Sequence, residues 1–142
     1  MSVNIAIDGP AGAGKSTIAK AVAKELEFIY VDTGAMYRAM ALHLLRQGIV
    51  PGEEAQMDAA CENAEISIVY ENGAQQVLLN GENVTGDLRR EEVGNMASVS
   101  SARPRIREKL VELQRVLASQ TDVVMDGRDI GTCVLPDADV KI

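Results

Sequence analysis

Residues Gly9-Pro10-Ala11-Gly12-Ala13-Gly14-Lys15-Ser16 fit the pattern G-x-x-x-x-G-K-[ST] without departure. Few short motifs constrain a fold as tightly, because each residue type answers a physical demand. A loop that wraps a phosphate must turn its backbone N–H groups inward, which calls for glycines that approach closely and adopt unusual backbone angles. A helix starting at the end of the loop then points its positive N-terminal end at the anion. Lys15 supplies charge for the β- and γ-phosphates of a nucleoside triphosphate, and the Ser16 hydroxyl suits Mg²⁺. The loop needs a buried strand before it and a helix after it. The residues on either side meet that requirement.

Val3-Asn4-Ile5-Ala6-Ile7 is short, β-branched and nearly all apolar, as expected of a buried parallel strand. After the loop, a helix is predicted over Lys15 to Leu26, with Ile18, Val22 and Leu26 on one face. Phe28 to Val31 reads as a second strand running into Asp32-Thr33-Gly34, and Ala35 to Gln47 as a helix with Thr33 at its cap and Gly48 closing it. From Glu65 to Asp87 the periodicity switches to alternation, with turn signals at Glu71-Asn72-Gly73 and Asn80-Gly81, so a small antiparallel meander is expected there. Ser100-Ser101 precede a helix with Pro104 in its first turn and Ile106, Leu110, Leu113 and Leu117 as its apolar stripe. Val123-Val124-Met125 is the next buried strand, and Asp139 to Ile142 starts another.

This alternation predicts an α/β fold: a P-loop NTPase-type parallel sheet with helices on both faces, carrying a small antiparallel β insert at about residues 62–88. Ligands of such sheets sit at the carboxyl ends of the strands. The residues that follow strands are therefore the candidates.

Composition narrows the class of ligand. With 14 Lys plus Arg against 21 Asp plus Glu, the chain carries a net charge of −7. A surface of that sign repels polyanions and argues against nucleic acid or an acidic membrane as partner, though not against a small phosphorylated molecule. Arg89, Arg90, Arg103, Arg105, Arg107, Lys109 and Arg115 cluster in one stretch, which on clustering alone reads as a solvated face. Cys61 and Cys133 stand in no metal or redox spacing and read as small apolar filler in a reducing compartment. His43, the only histidine, lies among Leu42, Leu44 and Leu45, where packing or a helix edge is the expected role. Neither a signal peptide nor an apolar run of the ~20 residues that span a bilayer is present, so a cytoplasmic protein is expected.

Two segments could face the phosphate loop. Asp32-Thr33-Gly34-Ala35-Met36-Tyr37-Arg38 follows a strand and sets Arg38 about one turn into a helix; a capped helix with a surface arginine is the competing reading. Val123-Val124-Met125-Asp126-Gly127-Arg128-Asp129-Ile130-Gly131-Thr132 ends an apolar strand in Asp126, an arrangement whose carboxylate can hold a water of the Mg²⁺ shell. Arg128 and Asp129 then stand at the functional edge, or else pair with each other in a loop. No asparagine is followed by lysine, so the N-K-x-D guanine signature of GTPase switches is absent. A small-molecule kinase is the better class.

Together, IDGPAGAGKST at Ile7 to Thr17, DTGAMYR at Asp32 to Arg38, RPRIRE at Arg103 to Glu108 and DGRDIGT at Asp126 to Thr132 resemble bacterial cytidylate kinases in order and spacing. The resemblance implies that Gly9 to Thr17 bind ATP with Mg²⁺ held through Ser16 and Asp126, and that Lys15, Arg128 and Asp126 are the catalytic set. It implies that Arg38 and Arg128 hold the CMP phosphate with Thr33 and Tyr37 nearby, that Ser98, Arg107 and Asp129 read the cytosine, and that the meander is the family's CMP-binding insert. The substrates are then ATP with CMP or dCMP, with no nucleic acid or membrane partner. The resemblance also implies that family members continue past Ile142 into a lid with further arginines. A full-length form is then expected to be a monomer, and the shorter chain to be inactive, poorly stable or self-associating through an uncovered edge. A nucleotide-binding fragment without turnover and a related P-loop kinase for another small acceptor are the competing readings.

Overall fold

The computed structural model describes residues 3–8, 15–26, 28–71, 74–120, 122–127 and 140–141. The chain divides into two compact units, one made of Met1–Thr33 with Gln114–Ile142 and the other of Gly34–Leu113. Each is built on its own sheet.

In the first unit the strands are β1 (Asn4–Asp8), β2 (Ile29–Asp32), β6 (Val123–Gly127) and β7 (Val140–Lys141), in the order β2-β6-β1-β7 and all parallel. Val123, Val124 and Met125 are fully buried, because β6 has a strand on each side. Helix α1 (Lys15–Leu26) starts where the sequence places it. Its buried face differs from expectation: Ala19 and Ala23 are buried with Val22 beside them, packed with Ile5, Ile7, Tyr30 and Val124, while Ile18 and Leu26 are exposed. Small side chains at i and i+4 let the helix lie close to the strands, and that contact outweighs the larger residues on the neighbouring face.

All but the first residue of α2 (Thr33–Arg46) belongs to the second unit, and the helix starts on Thr33 itself, the residue expected as its cap. Gly48, at φ +77°, closes α2: its N–H donates to the Leu45 carbonyl at 3.0 Å and the Ile49 N–H to that of Leu44 at 3.2 Å. This pair of bonds satisfies the last carbonyls through a left-handed residue, which glycine supplies without strain. Helix α3 (Glu54–Ala60) follows, then a 3₁₀ turn over Cys61–Asn63. The expected meander is β3 (Ile66–Glu71), β4 (Ala74–Leu79) and β5 (Glu82–Asn83), antiparallel in that order. Ile66 faces Leu79 and Ile68 faces Val77, four buried side chains on one side of the ribbon. Asn80 and Gly81 both have positive φ, +51° and +86°, the backbone that a two-residue hairpin turn demands.

A second 3₁₀ turn over Thr85–Arg89 leads to α4 (Glu91–Ser100), and α5 (Pro104–Gln120) runs from this unit into the first. Ile106, Leu110 and Leu117 of α5 are buried as expected. His43 is buried, with Nε2 donating to the Ala60 carbonyl at 2.9 Å, and Cys61 is buried with its thiol on the Asp58 carbonyl at 3.2 Å. Both therefore pack and bond internally; Cys133 lies outside the described residues. Among the described residues no helix is long and apolar enough to cross a membrane.

Candidate functional site

Three strands of the parallel sheet end at one edge in register. Ile7 pairs with Asp126, Asp8 with Gly127, and Asp32 with Asp126. The phosphate loop leaves the sheet just after Asp8, the DTGAMYR segment starts at Asp32, and the DGRDIGT segment starts at Asp126. Three motifs that are far apart in sequence thus depart from the carboxyl ends of three neighbouring strands, where an open parallel sheet binds its ligands. Asp32 was not singled out as a site residue from the sequence, although it opens a segment that was. Its register with Asp126 puts two acidic positions side by side at this edge.

Lys15 and Ser16 open α1 and Thr17 is exposed on its first turn. Gly9, Pro10, Ala11, Gly12, Ala13 and Gly14 lie outside the described residues, as do Arg128 and Asp129.

The remaining candidates belong to α2, α4 and α5. Thr33 is buried at the start of α2; Tyr37 is half-buried and Arg38 exposed one turn on. Ser98 is exposed in the last turn of α4, its hydroxyl donating to the Gly94 carbonyl at 3.2 Å. Arg107 is exposed on α5, with its guanidinium beside the Tyr37 phenol. Burial raises the Tyr37 pKa above its ordinary value, and the charge of Arg107 partly opposes that rise. The structure thus brings Tyr37 and Arg107 together across two helices. Among the described residues no carboxylate pairs with Arg38 or Arg107.

That freedom separates Arg107 from its neighbours. Arg103 is bonded to Asp58 and Glu54, Arg105 pairs with Glu62 and Glu108, Arg90 with Glu92, and Arg46 with Glu82 and Asp87. The basic stretch is therefore not simply a solvated face, since several of its members are ion-paired. Of the three arginines in RPRIRE, Arg103 faces carboxylates of α3, Arg105 faces Glu62 of the turn after it, and Arg107 lies beside the Tyr37 phenol.

A sequence profile of the cytidylate kinase family matches residues 5–142. Cytidylate kinase of Desulfitobacterium hafniense is 54% identical over 141 residues, covering 99% of this chain and 60% of that protein. Those of Caldicellulosiruptor saccharolyticus and a Geobacillus species are 53% and 49% identical, each over 99% of this chain and over 62% and 63% of their own lengths. The chain therefore spans about three fifths of the length of the curated relatives it matches.

Proposed function

The chain belongs to the cytidylate kinase family, and on that premise we propose that the protein transfers the γ-phosphoryl group of ATP to CMP, and to dCMP, giving ADP and the nucleoside diphosphate. The observation that carries the reading is the register of β1, β2 and β6. It starts the phosphate loop, the DTGAMYR segment and the DGRDIGT segment from one sheet edge. A donor triphosphate on the loop and an acceptor held by the other two segments then meet at that edge.

In this reading Gly9 to Thr17 hold the ATP phosphates, with Lys15 neutralising charge on the transferred group. Arg38 and Arg128 bind the acceptor phosphate close to Thr33 and Tyr37. Ser98, Arg107 and Asp129 read the base. Cytosine offers an exocyclic amine that a carboxylate such as Asp129 accepts, and its N3 and O2 are acceptors that suit Arg107. The attacking oxygen belongs to a phosphate and is already anionic, so no general base is required. This agrees with a lone histidine that is buried and bonded to a backbone carbonyl. Catalysis is then a matter of positioning and charge neutralisation.

Mg²⁺ fits the residues present. It prefers oxygen donors and keeps several waters, binding through one or two carboxylates together with substrate phosphates. Ser16, which opens α1, and Asp126 of β6, whose backbone pairs in register with Asp32, would supply that donor chemistry. When bound, the ion draws charge from the β- and γ-phosphates. The reading also carries a cytoplasmic, small-molecule enzyme.

The test is an ADP-release assay with ATP, Mg²⁺ and CMP, UMP or AMP, run on the 142-residue chain and on the full-length protein. Turnover selective for CMP is expected of the full-length protein. Equal or better turnover of AMP would overturn the acceptor, and binding of ATP and CMP without ADP release would leave a nucleotide-binding module in place of a kinase.

A further inference from the structure

Arg103 stands just before the first residue of α5, at the corner where α4 gives way to it. Its Nε donates to Asp58 Oδ1 at 3.1 Å, its Nη2 to Asp58 Oδ2 at 2.6 Å and its Nη1 to Glu54 Oε2 at 2.7 Å. A guanidinium forked onto one carboxylate and touching a second has its plane fixed, which a lysine could not reproduce. The side chains are only about a quarter exposed (28% for Arg103, 29% for Asp58), so the contact is shielded from water more than a surface pair is.

The backbone of the same residue reaches the residues assigned to the acceptor. The Arg103 carbonyl accepts the N–H of Arg107 at 3.1 Å, so Arg107 hangs from Arg103 by the opening hydrogen bond of α5. The Arg103 N–H donates to the Ser100 carbonyl at 3.0 Å, and the Ser101 hydroxyl to that of Ser98 at 3.3 Å. The corner carrying Ser98 on one side and Arg107 on the other is thereby tied to Asp58 on α3. Arg105 adds a second tie between α5 and the Cys61–Asn63 turn through Glu62.

We propose that Asp58 and Arg103 are a positioning pair for the acceptor site, setting the first turn of α5 so that Arg107 faces the nucleobase. Neither residue touches substrate. Their influence passes through one backbone hydrogen bond to Arg107, so it is expected to act on the acceptor. The inference rests on the reading of Arg107 as a base-reading residue.

Steady-state kinetics on the full-length protein test it. Asp58→Asn and Arg103→Lys each remove the fork while keeping side-chain size or charge. Each is expected to raise KM for CMP roughly threefold or more and to leave KM for ATP within about twofold. In an Arg107→Ala background, Asp58→Asn is expected to change KM for CMP by less than about twofold, because the residue it acts through is gone. Multiplying effects in the double variant would overturn the proposal, as would equal rises in both KM values or a folded variant with unchanged KM for CMP. If Asp58→Asn does not fold, Arg103→Lys alone and combined with Arg107→Ala gives the same decision. A wild-type protein that does not phosphorylate CMP sinks the kinase reading itself, which separates that failure from this one.

Discussion

The Arg103 guanidinium meets both oxygens of the Asp58 carboxylate, and that carboxylate is held below its ordinary pKa of 3.8, first by the hydrogen bonds from Arg103. A carboxyl whose folded pKa is depressed stabilises the fold at pH values above its unfolded pKa. That contribution is lost as pH falls from there through the folded value. Asp58→Asn removes the titrating group. Thermal unfolding from pH 7 to pH 3 should show the wild type ahead of Asp58→Asn at neutral pH, with the gap narrowing below about pH 4. A gap that stays constant to pH 3 would show that the pair contributes nothing that titrates.

Tyr37 and Arg107 give the opposite sign at the alkaline end. Burial raises the phenol pKa and the Arg107 charge draws it part of the way back. Removing that charge with Arg107→Ala is expected to move Tyr37 ionisation to still higher pH. Tyrosinate absorbance, with Tyr37→Phe to identify the signal among the three tyrosines, reads the shift directly. Because the folded pKa lies above the unfolded one, stability associated with Tyr37 falls as pH rises past 10. An unmoved or lowered Tyr37 titration in Arg107→Ala would mean that the two side chains do not meet in solution.

Much of this was legible in the sequence, and what was not has physical reasons. The phosphate-loop pattern, the β-branched strands and the Asn80-Gly81 turn each have one strong local cause, and the strands, α1 and the hairpin appear within a residue or two of expectation. Helices α3 and α4 carry no clear periodic signal in the sequence. The sequence Glu54–Ala60 buries only Met57, so it presents no stripe, and α4 buries Val93, Met96 and Ser100, with a glycine and two serines weakening the pattern. In α1 closeness outweighs side-chain size, so alanines face the sheet where the larger Ile18 and Leu26 are expected. At the site, strand ends were readable but partnerships were not. Glu54, Asp58 and Glu62 stand four residues apart, the spacing that lines one helical face, and could have been set against the arginines of RPRIRE. Nothing local says that two segments 45 residues apart meet, as Asp58 and Arg103 do.

Asp129 carries the specificity prediction. Uracil replaces the exocyclic amine of cytosine with a carbonyl, which would face a carboxylate unfavourably. An asparagine amide can turn to either base. Asp129→Asn is therefore expected to narrow the ratio of kcat/KM for CMP over UMP by roughly tenfold or more, the loss coming mainly from CMP. Competitive turnover of both nucleotides in one mixture measures the ratio without relying on enzyme concentration. An unchanged ratio would remove Asp129 from the base-reading set.

His43 separates packing from chemistry. Its Nε2 donates to the Ala60 carbonyl at 2.9 Å within the core, joining α2 to the end of α3. His43→Leu keeps the bulk and strands that carbonyl, a loss of about 1–3 kcal/mol of stability. Since the proposed transfer needs no imidazole, kcat per folded molecule should stay within about twofold. Urea unfolding paired with turnover at 15 °C or below would check both halves, and a fall in kcat without loss of stability would place a general base where none is expected.

Ser100 is the converse case, a polar atom whose removal should help. It is fully buried in the last turn of α4, and its hydroxyl is the one buried side-chain polar atom among the described residues without a hydrogen-bond partner. Burying a hydroxyl without a partner carries an uncompensated desolvation cost, and alanine removes that oxygen while keeping the β-carbon, so Ser100→Ala should raise stability by about 1 kcal/mol. Alanine also favours the helix over serine at this position. The neighbouring backbone bond from Arg103 to the Ser100 carbonyl does not involve the side chain and should persist, leaving the α4–α5 corner in place. Equilibrium unfolding in urea at fixed m-value would register the gain as a rise in midpoint. A lower midpoint would mean that the hydroxyl is satisfied in solution, by a buried water or a rotated neighbour, and that the corner depends on it.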